Sequence, residues 1–260
     1  MILLGVVLAL TRSFGTVRLL VSDRSKLARL TLAAVLVSTN WGVYIWSVNN
    51  GHVVEGSLGY FINPLFTIML GVLVLKERLS RAQWIAVGIA AVAIVVLSVD
   101  YGRLPWIALT LALTFGGYGF FKKQVSAGAV ESLTVETGLM VGPALVALVM
   151  LAEQSRLAFG HAGTSNALLI AGTGVVTALP LLLFGAATRR LPLTSIGLLQ
   201  YLAPVLQFAV GVGIRHEPMP PARLLGFALV WIALVVLTAE ALTRRHRNAG
   251  IARAAEAVAA

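Results

Sequence analysis

Residues 59 to 97 read "GYFINPLFTIMLGVLVLKERLSRAQWIAVGIAAVAIVVL". Two apolar runs flank a short loop carrying Lys76, Glu77, Arg78 and Arg81. Each run approaches the roughly 20 residues that a helix needs to cross a bilayer core of about 30 Å. Neither run alternates with period two, so the stretch reads as a pair of membrane helices and not as barrel strands. Slid along the chain by 140 residues, it meets a second stretch of the same kind without a gap. Pro64 falls on Pro204, Gly71 on Gly211, Glu77 on Glu217, Ala82 on Ala222, Ala93 on Ala233, and "VVL" at 95–97 on "VVL" at 235–237. Ala, Val, Leu and Gly dominate both halves, so the Pro and Glu matches carry most of the weight.

The rest of the chain extends the pattern. Of its 260 residues 58% are hydrophobic and 12% charged, and the mean hydropathy is +0.91, far outside the range of soluble domains. Nine apolar segments are expected, at about 1–11, 31–49, 57–75, 82–98, 104–121, 135–152, 167–187, 193–212 and 223–242. The fold class is therefore an all-α membrane protein, a polytopic helical bundle. With no cysteine in the sequence, neither a disulfide framework nor a thiolate metal site can be built.

A formal charge of +10 raises nucleic acid as a partner, but the cations sit in short loops between apolar runs, with no basic stripe interleaved with aromatics. Taking alternate connections, 16 of the 20 Lys and Arg fall on one side and 4 on the other. The positive-inside rule then places the loop after the first segment, and the C-terminal tail, in the cytoplasm. The same count sets the loop with Glu77 inside and the loop with Glu217 outside.

An odd number of crossings per repeat makes the two halves lie in opposite senses, so an inverted repeat is expected, with units at 1–100 and 101–242 and a basic tail at 243–260. The second unit holds five segments. Its counterpart in the first would begin ahead of Met1, so one helix and part of the next are expected to precede this chain. Inverted repeats recur in secondary transporters, where one half rocks against the other around a midplane site.

Polar residues then show where such a site would lie. Asn40, Tyr44 and Ser47 share one helix face, as do Ser57, Tyr60, Pro64 and Thr67. In the repeat register the latter stripe becomes Gly197, Gln200, Pro204 and Gln207, and the two stripes are expected to face each other. Thr110, Thr114 and Tyr118 mark a further face, and so do Thr173, Thr177 and Pro180. Polar groups in hydrocarbon need partners or water, which directs these stripes to the bundle interior. Two readings stand: they line a polar path, or they bind helices together at about 0.6 kcal/mol each. Trp46 suits an interfacial belt, whereas Trp41 lies deeper and suits a stacking wall. Pro64, Pro180 and Pro204 remove backbone hydrogen bonds and are hinge candidates or static kinks.

Ionisable groups at mid-depth are scarce. His52 and Glu55 fall in an external turn, Glu136 at the cytoplasmic start of a helix, and Glu77 in a basic loop. "KERL" and the pair Arg189 and Arg190 read as cytoplasmic anchors. H-E-x-x-H, G-x-S-x-G and P-loop motifs are absent. "GTGVVTA" at 172–178 lies inside an apolar run and lacks the third glycine of a dinucleotide loop. No catalytic residue, cofactor or metal is expected, and the chain does not read as an enzyme.

Specific strings carry a resemblance. "NWGVYIWSVNNGHVVEGSLGYFINPL", "GVLVLKERL", "TALPLLLFGAATRRLPLTSIGLLQYLAP" and "GFALVWIALVVLT" resemble the RarD-type permeases of the EamA-like branch of the drug/metabolite transporter superfamily, from the first segment to about residue 240. The resemblance implies a ten-helix carrier of the bacterial inner membrane, built of two five-helix EamA repeats, that moves small metabolites or drugs. Against that pattern, the family's first helix is expected to fall ahead of this chain. The resemblance assigns helix-lining positions to Asn40, Trp41, Tyr44, Asn49, Tyr60, Asn63, Thr177, Pro180, Gln200 and Tyr201, to which the stripes add Tyr118 and Gln207. Its expected partners are the lipid bilayer and a small-molecule substrate, with a homodimer left open. A non-transporting accessory or remnant membrane protein is the alternative.

Overall fold

The computed structural model describes residues 2–50, 52–101, 106–154 and 163–203, and beyond these only single residues and short groups between 206 and 243. Among the described residues the regular elements are nine helices. They are α1 Ile2–Thr11, α2 Phe14–Ser22, α3 Arg24–Asn49, α4 Val53–Leu73, α5 Arg81–Tyr101, α6 Trp106–Gln124, α7 Ala129–Glu153, α8 Gly163–Arg190 and α9 Leu193–Gln200. Seven of the nine expected segments fall on these helices; α9 covers only the first part of 193–212, and of 223–242 only scattered residues are described. Three helices, α3, α7 and α8, are each long and apolar enough to cross a membrane. Leu3–Thr11 and Phe14–Ser22 meet that test together, bent by 108°, and Ile62–Leu73 and Arg81–Val96 are shorter apolar stretches.

The structure differs from the sequence reading at residues 12–30, taken there as a loop. Arg12, with φ of 53°, ends α1, and the chain turns straight into α2. That helix survives because Leu20, with Val17 beside it, packs with Leu30, Val125, Ala127 and Val135, while Arg18 faces out. Helix α3 then starts seven residues earlier than its apolar run. The Asp23 carboxylate accepts from the amides of Ser25 at 3.0 Å and Lys26 at 3.1 Å, and these bonds, the one from Lys26 foremost, hold its pKa below the usual carboxylate value.

Other ends are equally local. Ser80 and Gln83 form a reciprocal capping box at the start of α5, with bonds of 2.9 and 3.2 Å. Lys122 and Lys123 close α6 and Arg189 and Arg190 close α8, where cations complement the negative end of the helix dipole.

The helices pack as two compact units. One comprises Met1–Gly42 with Gly117–Pro192, the other Val43–Gly116 with Leu193–Ala260. Each draws on both halves of the chain, so this grouping by packing is a different partition from the sequence repeat. In the second unit α4 is the spine: Ile68 packs with Ala90, Ala93, Leu198 and Tyr201, and Gly59 lets α4 approach the backbone of Ala108 on α6.

Candidate functional site

In the second unit α4 and α9 form a close pair, and small residues make the approach feasible. A methyl group on Gly197 would sit 2.7 Å from the Pro64 carbonyl oxygen and 2.7 Å from Ile68 Cγ1. One on Gly71 would sit 2.8 Å from Thr194 Cγ2. At one end of the seam the Glu77 carboxylate accepts from the backbone amides of Leu193 and Thr194, both at 2.8 Å, while its own amide donates to the Gly71 carbonyl at 3.0 Å. Glu77 thus caps α9 from a different part of the chain, satisfying donors that a helix start leaves orphaned. The sequence had placed it only as a loop anchor.

Polar side chains on α4 and α9 accompany these contacts, with Thr67 Oγ1 on the side of Gly116 of α6, where an added methyl would sit 3.2 Å from it. Asn63 Nδ2 donates to Gln200 Oε1 at 3.3 Å. Asn63, Thr67 and Tyr201 are 8%, 0% and 1% exposed. Among the described residues Asn63 Oδ1, Thr67 Oγ1, Gln200 Nε2 and Tyr201 Oη have no hydrogen-bond partner. Pro64, inside α4, has no N–H, so the Tyr60 carbonyl loses its usual helical donor. Buried polar atoms are normally paired, because each unpaired one costs about 1–3 kcal/mol. Four on α4 and beside α9 keep hydrogen-bonding capacity in reserve.

Next to it, Tyr60 meets Tyr44 edge to face at 5.8 Å. Trp46 stacks on His52 at 5.4 Å and tilts against Trp106 at 5.7 Å.

The first unit holds a different polar group. Lys122 Nζ lies 2.7 Å from Glu136 Oε1, with both side chains 2% exposed. Tyr118 donates to Glu136 Oε2 at 3.3 Å and stacks on Phe184 at 5.7 Å. Lys122 sits 5.4 Å from the Tyr118 ring centre, and Gly185 leaves room for its stem. Sequence reasoning had put Lys122 in a loop and Glu136 at a helix start. The missed signal is that Lys122 continues the stripe Thr110, Thr114, Tyr118 by one further turn.

Placement of the remaining candidates is mixed. Asn63 and Gln200 come together, Pro64 meets Gly197, Tyr201 packs with Ile68, Ala90 and Ala93, and Tyr44 meets Tyr60. Tyr118 belongs to the Lys122–Glu136 group. Asn40 is half-buried and Asn49 exposed on α3, and Trp41 is 41% exposed. Thr177 is half-buried and Pro180 exposed on α8. Pro204 and Gln207 lie outside the described residues.

Long apolar helices, three of them able to cross a membrane, define a multi-pass membrane protein. Comparison with known proteins narrows the class. The EamA-like transporter family matches residues 1–99. Protein RarD of Streptomyces exfoliatus is 53% identical over 98% of this chain and 82% of its own length. The uncharacterized transporter YojE of Bacillus subtilis is 44% identical over 80% of this chain and 70% of its own. A more distant relative from Pseudomonas aeruginosa, named chloramphenicol-sensitive protein RarD, is 31% identical over 93% and 82%. The chain belongs to the RarD-type permeases of the EamA-like family.

Proposed function

We propose that the chain is a secondary carrier that moves a small solute across the bacterial inner membrane by alternating access. In this reading residues 1–100 and 101–242 are inverted repeats, and the tail from 243 lies in the cytoplasm. The observation that carries it is the α4–α9 seam. In the proposed repeat these two helices are mates, they meet directly at Pro64 and Gly197, and both carry buried polar atoms with no partner among the described residues. Ala93 and Ala233, matched by the same register, are both fully buried. A site at the meeting of two inverted halves is what exposure to each side in turn requires.

Counterflow tests the mechanism. Purified protein in liposomes preloaded with chloramphenicol, the compound in the relative's name, is expected to take up labelled chloramphenicol faster than empty vesicles do. Saturable uptake without that acceleration would rule out a carrier cycle. Tyr44→Ala and Gln200→Ala are expected to lower flux while still inserting in the membrane.

A further inference from the structure

We infer that the α4–α9 seam selects an uncharged solute that both donates and accepts hydrogen bonds, such as an amide or a polyol, and rejects ions of either sign. This rests on the carrier reading above and adds the chemical class of the cargo. The valences left free among the described residues on α4 and beside α9 are of both kinds. Gln200 Nε2 can only donate and Asn63 Oδ1 can only accept, whereas the hydroxyls of Thr67 and Tyr201 do either. Their spacing along the chain is compact: Asn63 and Thr67 are one helical turn apart on α4, and Gln200 and Tyr201 are adjacent.

The charge pattern decides between a neutral and an ionic cargo. Residues 56–75, 82–99, 106–116 and 191–214 contain no Asp, Glu, Lys or Arg. These stretches therefore offer an ion no counter-charge, and moving an unpaired charge into such surroundings costs far more than a few hydrogen bonds return. The carboxylate that meets α9, that of Glu77, is committed to the Leu193 and Thr194 amides, seven residues or about 10 Å of helix from Gln200. A neutral amide or hydroxyl meets no such barrier. It needs only the donors and acceptors that the seam leaves open.

The test uses the whole chain in liposomes and three labelled probes of similar bulk: chloramphenicol, an uncharged amide with two hydroxyls; its succinate ester, an anion; and tetraphenylphosphonium, a cation. Expected is saturable chloramphenicol uptake with kcat/KM at least tenfold above that for either ion. Thr67→Val, which keeps side-chain shape and removes a hydroxyl without a partner, should leave thermal stability unchanged or raised and increase KM severalfold. Gln200→Leu should increase it further. Comparable or better uptake of an ionic probe overturns the neutral-solute assignment and leaves the carrier reading standing. Saturable uptake of none of the three overturns both. Chloramphenicol uptake with an unaltered KM in Thr67→Val and Gln200→Leu removes the seam as the place of recognition.

Discussion

The ammonium of Lys122 and the carboxylate of Glu136 are almost wholly withdrawn from solvent and 2.7 Å apart. Desolvation of such a pair offsets most of its attraction, so its presence adds little net stability, yet removing one partner strands the other charge at about 3–5 kcal/mol. Lys122→Met is therefore expected to destabilise the protein by about that amount in denaturant unfolding in detergent, and Lys122→Met with Glu136→Leu to return to the parent value or exceed it. A single variant as stable as the parent would show that the pair is already neutral or solvated. This pair also shows where sequence reading stops. Lys122 adjoins Lys123 and closes an apolar run, so it was counted with the loops. Its partner is fixed by how the α6–α7 hairpin packs, which helical periodicity does not encode. The Asn63–Gln200 pair, 137 residues apart, was nearer to legible, because the repeat register sets the stripes of Tyr60 and Gln200 against each other.

Helices α4 and α9 are joined by a cap and by glycine contacts, and the two act differently. Glu77→Ala removes the acceptor for two amides at the α9 start, at a cost of about 1 kcal/mol. The expected readout is local: hydrogen exchange at Leu193 and Thr194 should quicken several-fold while the α4 interior is unaffected, and equal protection in both proteins would dismiss the cap. Gly197→Ala acts on the seam itself. Its methyl would press on the Pro64 carbonyl, which is backbone and cannot swing away, so a loss of about 1–3 kcal/mol is expected, with reduced flux. At this scale the apolar segments were readable because crossing a bilayer demands length and hydropathy. Helix α2 was not, because its nine residues are held by Val17 and Leu20 against partners more than a hundred residues away.

For the molecule as a whole, the proposed inverted repeat makes a prediction that needs no knowledge of cargo. The chain has no cysteine, so single replacements label cleanly. Leu79→Cys should react with an impermeant maleimide from the cytoplasmic face and Met219→Cys from the opposite face; reaction of both from one side would end the inverted arrangement. The proposed topology rests on the asymmetry of 16 to 4 cations between alternate connections, a signal carried by composition and therefore visible without coordinates. The packing into units that mix helices from both halves had no such signal.

The cap on α9 also bears on biosynthesis. Glu77 leaves the ribosome long before Leu193, which lies 116 residues downstream. Throughout that interval the carboxylate has no α9 to hold, and the α4–α5 hairpin must be inserted without its eventual clasp. Chains released before residue 193 would keep their spans yet lack this closure, so the seam is among the last features of the protein to come into being.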